Sequence, residues 1–268
     1  MTCALVCRAW VPSSRYHLFG HVNIWVVQYD RFSDFIGHLD HPLCTFAPSV
    51  RKLLISTSII SDTSRDDGHT TLDDDLSPDW ADPLIPYLVK LISVKTLVAN
   101  KIGGWPYNNG WEPLFKSAPF VTQITHLSLQ YPAFMTFEDC MNTINSFPSL
   151  ESLEYFPNHI YDDYDQGTRP LLPARQGSPP PSLRTLYIES FSPNTQVIWQ
   201  WFHRSQTRLS AIELGGPLSF SNRDISTAQL STFIQYLQFL GPSLEVLQAD
   251  FEGAPTSICG FLVDRVLE

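Results

Sequence analysis

One apolar phrase recurs seven times along the chain: an aliphatic residue, a second one three further on, and usually a third two beyond that. The phrases begin at Val50, Val94, Ile124, Leu150, Leu183, Leu209 and Leu244. Four of them follow a Pro-Ser pair, at Pro48-Ser49, Pro148-Ser149, Pro181-Ser182 and Pro242-Ser243. Alternation within each phrase predicts a short strand. In Leu183-Arg-Thr-Leu186-Tyr-Ile188, Leu186 and Ile188 share one face and Thr185 and Tyr187 the other. Leu183 falls outside the inward row and is expected to close the preceding turn. The same spacing predicts inward pairs Leu53/Ile55, Leu127/Leu129 and Ile212/Leu214.

Helical spacing alternates with these strands. Phe32, Phe35, Ile36 and Leu39 lie on one helix face, as do Phe137, Cys140, Met141 and Ile144, and again Leu230, Phe233, Ile234 and Leu237. Thr136 with Asp139 predicts a capping box at the start of the second helix. The third opens near Ser226 and stops at Gly241-Pro242. Weaker patterns predict helices at about 83–92, 111–117 and 195–205, with Pro86 blurring the first. In the last, Val197, Ile198, Trp199, Trp201 and Phe202 offer more apolar surface than one face buries, so part of it is expected to stay exposed, while Trp201 itself is read as core packing between repeats. Strands and helices alternating with a recurring unit predict an α/β solenoid: short parallel strands stacked side by side, helices on the other side.

The unit length is uneven, with 44, 30, 26, 33, 26 and 35 residues between successive starts. Two insertions account for part of this and are expected to be exposed loops. Residues 61–82 carry Asp66, Asp67, Asp73, Asp74, Asp75, Asp79 and Asp82. Residues 157–182 carry Tyr161, Asp162, Asp163, Tyr164 and Asp165, then Pro179-Pro180-Pro181.

Composition narrows the job. The 268 residues are 43% hydrophobic, enough for a sizeable core, and only 16% charged. The net charge of −10 argues against nucleic acid and an anionic membrane surface, which are bound by clustered Lys and Arg. It favours a basic protein partner. No apolar run reaches the length of a membrane span, and Ala4-Leu5-Val6 lacks a basic leader and is interrupted by Arg8. Cys3, Cys7, Cys44, Cys140 and Cys259 are odd in number and widely spaced, which fits reduced thiols rather than a disulfide framework or zinc site. The expected compartment is the cytoplasm or nucleus.

Candidate chemistry is sparse. Asp73-Asp74-Asp75 lacks the alternation, glycine and terminal Glu of a calcium loop. His159 lies near Asp162 and Asp163, but no nucleophile of recognisable context accompanies it. His203 lies between Phe202 and Arg204 on a helix and is read as a partly buried polar residue. No Gly-x-Ser-x-Gly elbow occurs, and neither Gly103-Gly104 nor Gly215-Gly216 belongs to a phosphate loop. No catalytic, cofactor or metal residue is therefore assigned. Trp105, Tyr107 and Trp111, clustered among turn residues, are the expected partner-binding aromatics.

The phrase Ile124-Thr-His-Leu127-Ser-Leu129 resembles the strand segment of leucine-rich repeats. The asparagine that bonds the inter-repeat turns in that family has no counterpart here, where Tyr131-Pro132 and Ser56-Thr57-Ser58 follow the strands. Cys3-Ala-Leu-Val-Cys7-Arg-Ala-Trp10, then Pro12-Ser-Ser-Arg15 and Leu18-Phe19, resembles the second half of an F-box motif. The whole arrangement is similar to the F-box-like families of mushroom-forming fungi. The first half of the motif, with its Leu-Pro-x-Glu opening, would precede Cys3, so the expected F-box is truncated. The resemblance implies a partial F-box over 1–22, with Leu5, Val6, Cys7, Trp10, Leu18 and Phe19 facing a Skp adaptor. An irregular leucine-rich-repeat-like domain would follow over 23–268. The implied function is non-catalytic protein recognition for a ubiquitin ligase. The alternatives are a hydrolase-like α/β enzyme without a recognisable motif, or a gene fragment with no function of its own.

Overall fold

The computed structural model describes residues 11–26, 29–57, 80–101, 111–132, 134, 136–157, 177–189, 193–215 and 227–249. Leu5, Val6, Cys7, Trp10, Trp105, Tyr107, His159, the aspartates from 66 to 79 and the Tyr161–Asp165 cluster lie outside them. The chain divides into two compact units, Met1–Ile124 and Thr125–Glu268. Both are α/β, with parallel strands of four or five residues alternating with helices.

The first unit opens with α1 (Val11–Phe19), which runs directly into β1 (His21–Trp25). The expected domain boundary after residue 22 thus falls inside a strand. That strand has no full phrase, because only Ile24 within it is buried. After α2 (Tyr29–Asp40) come β2 (Lys52–Ser56), β3 (Thr96–Asn100) and the short helices α3 (Trp111–Lys116) and α4 (Ala118–Val121). β1 pairs with β2 and β2 with β3, all parallel. The helix expected at 83–92 is instead a six-residue 3₁₀ helix, Ile85–Lys90. Pro83 and Pro86 lack the N–H groups that a continuous α-helix would use, so the segment closes in tighter turns.

In the second unit, β4 (His126–Gln130), β5 (Ser152–Phe156), β6 (Thr185–Ile188), β7 (Ala211–Leu214) and β8 (Val246–Ala249) pair in chain order, each parallel to the last. Between them lie α5 (Phe137–Asn145), α6 (Pro193–Arg204) and α7 (Thr227–Leu240). The capping box of α5 forms as the sequence predicts: the Thr136 hydroxyl accepts from the Asp139 N–H, and the Asp139 carboxylate accepts from the Thr136 N–H. Thr136→Ala is expected to cost about 1 kcal/mol, read as a lower denaturant midpoint at unchanged slope.

The inward row is the core. Leu53/Ile55, Leu97/Ala99, Leu127/Leu129, Leu153/Tyr155, Leu186/Ile188 and Ile212/Leu214 are all buried. The first residue of each phrase is buried too, except Leu244, which is half-buried. It closes the turn, as expected for Leu183. The N–H groups of Val50, Val94, Ile124, Leu150, Leu183 and Leu244 each donate to the carbonyl three residues back, at 3.1–3.3 Å. This explains the Pro-Ser punctuation, since proline fits a turn that asks nothing of its own nitrogen.

Stacking of successive turns rests mainly on backbone, with side chains adding to it: the Ser182 hydroxyl donates to the Pro148 carbonyl at 3.4 Å and the Gln123 amide to the Leu91 carbonyl at 2.8 Å. Within each unit, one carbonyl accepts two N–H groups of the next strand's approach at 2.8–3.1 Å: Gly20 from Arg51 and Lys52, Arg51 from Lys95 and Thr96, Thr125 from Glu151 and Ser152. Glu151, Arg184 and Ser210 continue the series. These forked bonds satisfy backbone groups before each strand without any side chain.

Three expectations are corrected. Trp80 and Ala81 are buried, so the first insertion gives way to core before residue 82. The Trp80 ring meets Trp111 edge-on at 5.0 Å. Pro157, Pro179 and Pro180 are buried as well, so the ends of the second insertion belong to the packed unit. No part of α6 from Val197 to Phe202 except Gln200 is left half-exposed, because its indoles are enclosed by other elements. Trp199 packs on Phe233 and Tyr236 of α7, and Trp201 on Phe137 of α5. No helix among the described residues is long and apolar enough to cross a membrane.

Candidate functional site

A strand buried on one side presents its alternate residues on the other. In the second unit that outward set forms three ranks across β4 to β8. The middle rank runs Ser128, Glu154, Tyr187, Glu213, Gln248 in direct register. The rank before it holds His126, Ser152, Thr185, Ala211 and Val246. Beyond it lie Gln130 and Phe156, paired in register, and then Glu189 and Gly215 just past the ends of β6 and β7. No Lys or Arg occurs in these ranks.

The centre of this face is a pair of rings flanked by carboxylates. Phe156 and Tyr187 lie with centroids 5.1 Å apart, tilted by 38°. Both are half-buried, while Glu154 is exposed. Adjacent strands are about 4.8 Å apart, so Glu154 and Glu213 flank Tyr187 at about that spacing on either side. Gly215 serves this arrangement: a Cβ there would overlap the Tyr187 hydroxyl. Its value is the room left for the ring, not its backbone freedom.

The electrostatics agree with the geometry. Partial burial, then the carboxylates of Glu189, Glu154 and Glu213, push the Tyr187 phenol above the usual tyrosine range. The hydroxyl is therefore a proton donor at neutral pH. None of these three glutamates joins an ion pair among the described residues. Ser128, next to Glu154 in the rank, is 1% exposed and its hydroxyl has no hydrogen-bond partner.

A recess of about 400 Å³ opens at the start of the same strands, lined by His126, Glu151, Ser152, Ser182, Arg184 and Thr185. Arg184 donates to the carbonyls of Pro181 and Leu183, which holds its guanidinium against its own turn. The remaining lining is three hydroxyls, an imidazole and the Glu151 carboxylate, suited to hydrogen-bonding an extended chain. Among the described residues, no group of three or more His, Cys, Asp or Glu could hold a metal ion. Burial and the neighbouring Asp139 raise the Cys140 thiol far above its usual range, so it stays protonated.

The residues singled out from sequence fall elsewhere. Trp111 is 2% exposed and stacks on Phe115 at 5.7 Å, so it packs the first unit's interior and is not an exposed anchor. Leu18 is 55% exposed on α1, whereas Phe19 packs against Phe46 at 5.1 Å. His203 is half-buried against Phe239 and Tyr236. Glu154, Tyr187 and Glu213 were missed, although one signal marks them. Each occupies the fifth place of its phrase, between the two inward residues, where a strand needs no particular side chain. No family model, curated protein or solved structure matches the chain.

Proposed function

We propose that the chain is a non-catalytic protein–protein interaction module, an irregular leucine-rich-repeat-like solenoid with part of an F-box. Its role would be substrate recognition for a ubiquitin ligase of the Skp–cullin–F-box type. The observation that carries the binding reading is the division of labour within each strand. From β2 to β7 the inward residues are buried and, Tyr155 apart, aliphatic, while the outward rank of the second unit places two glutamates around an aromatic ring. Side chains that add like charge and no core packing are better explained by recognition than by folding. A basic protein surface is the favoured partner, given the net charge of −10. Such a component works in the cytoplasm or nucleus.

The adaptor half of the reading is supported by the motif residues Leu5, Val6, Cys7, Trp10, Leu18 and Phe19, and by the exposure of Leu18. Phe19 is committed to Phe46, so Leu18 is the residue to test. The purified chain is expected to co-elute with a purified Skp adaptor, and Leu18→Glu to weaken that association at least about tenfold, the scale of losing one buried leucine contact. Separate elution of the parent chain and the adaptor would remove the ligase role.

A further inference from the structure

We propose that the strand face of the second unit seats an arginine side chain from an extended basic segment of a protein partner. The guanidinium would lie against the Phe156–Tyr187 ring pair, between the carboxylates of Glu154 and Glu213. This deepens the binding-module reading and rests on it.

Three independent features point to a planar cation. Glu154 and Glu213 stand on opposite sides of Tyr187 in one register rank, so a cation over the ring meets a carboxylate on each flank. The ring surface itself attracts cations, arginine most readily because its plane stacks while its edge donates. Second, the three ranks contain no Lys or Arg and the glutamates join no ion pair among the described residues, so no described residue of the face supplies the positive charge. Third, Ser128 keeps a buried, unpartnered hydroxyl on the same rank beside Glu154. A buried hydroxyl without a partner is costly to folding, and because Ser128 lies one strand beyond Glu154, the neighbouring part of the bound segment, not the guanidinium over Tyr187, would have to satisfy it.

The seat is also shaped. The absence of a side chain at Gly215 holds the space occupied by the Tyr187 hydroxyl, and Phe156 supports the ring from the other strand. Along the strands, the hydroxyls of Ser152 and Thr185 in the recess lie two residues before Glu154 and Tyr187. Two residues of strand advance about 7 Å, the repeat of an extended peptide, so one segment can reach both.

The test is isothermal titration of the full chain with the blocked peptide acetyl-Gly-Arg-Gly-Arg-Gly-amide, against a citrulline version that keeps shape and loses charge. The arginine peptide is expected to bind at least tenfold more tightly than the citrulline peptide. The double variant Glu154→Gln, Glu213→Gln is expected to lose at least tenfold, and Tyr187→Leu and Gly215→Ala severalfold, with far-UV dichroism unchanged. Glu138→Gln, an exposed carboxylate on α5, is expected to bind as the parent does. Equal binding of the two peptides, equal binding by parent and double variant, or no binding at millimolar peptide would overturn the proposal. So would sedimentation in which the double variant breaks a dimer of the parent, which would assign the face to a second copy. Adaptor co-elution on the same preparation separates the two failures. With the adaptor bound and the peptide not, only the arginine seat falls; with neither bound, the ligase role falls as well.

Discussion

Leu186→Asp is expected to leave the Thr125–Glu268 unit unfolded at room temperature. Leu186 is fully buried at the middle of the inward row, in register with Leu153 on one side and Ile212 on the other. All three side chains point into the same apolar layer, so an aspartate there meets aliphatic neighbours in place of a charge partner among the described residues. Burying such a carboxylate, or protonating it to avoid the charge, costs several kcal/mol on top of about 2–5 kcal/mol for the lost leucine packing. Domains of this size are stable by only about 5–15 kcal/mol, so the loss is comparable with the whole. Far-UV dichroism and a denaturant titration would show it, with Leu186→Ala as the milder companion that shifts the midpoint without abolishing the transition. An aspartate variant melting like the parent would mean that the inward row is not the core.

Trp201→Ala carries the second largest expected effect. The indole is fully buried, edge-on to Phe137 at 6.2 Å and stacked on Phe202 at 5.2 Å. Its Nε1–H donates to the Gly177 carbonyl at 2.8 Å, which ties the chain just ahead of Pro179 and Pro180 to α6. Removing the ring leaves a large cavity and takes away the bond that anchors Gly177, for a combined loss of about 3–5 kcal/mol. At about 2–4 °C per kcal/mol, the thermal midpoint should fall by about 10 °C or more. Trp201→Phe keeps most of the packing and loses the hydrogen bond, so it should fall by about a third of that or less. Proteolysis near residue 177 should rise in both variants, since both release the same anchor. Equal midpoints for Trp201→Ala and the parent would contradict the enclosed position of α6.

Much of the architecture was legible because two periods dominate it. The inward pairs follow from the spacing of Leu53 and Ile55 or Leu186 and Ile188 alone, since a two-residue period admits one buried face. The capping box of α5 follows from Thr136 and Asp139, whose chemistry is local. What could not be read depends on partners distant in sequence. Trp111 looked like a loop aromatic, yet Trp80 and Phe115 enclose it, and neither contact leaves a periodic trace. α6 carried too many apolar residues for one face, and only the packing of α7 and α5 against it accounts for them. β1 was invisible because a strand with a single buried residue has no pattern. The missing asparagine of the leucine-rich-repeat pattern raised the question of how successive turns stack. Forked backbone bonds such as those of Arg51 and Glu151 answer it, and they are indifferent to sequence.

The candidate face was hidden for the opposite reason. Glu154, Tyr187 and Glu213 sit at positions where almost any residue lets the strand form, so the pattern that reveals the fold passes over them. Their grouping emerges only when the strands are set side by side, which turns residues 154, 187 and 213 into neighbours.

The account's central claim is that the inward row holds the unit together while the outward rank is kept for a partner at some cost to stability. The thermal midpoint of the double variant Glu154→Gln, Glu213→Gln, taken beside that of Leu186→Ala, tests it most directly. Like charges flanking one ring repel, so neutralising them should leave the midpoint unchanged or raise it slightly, while Leu186→Ala lowers it by several degrees. A double variant that falls as far as Leu186→Ala would show that the outward carboxylates are part of the scaffold, and the claim would fail.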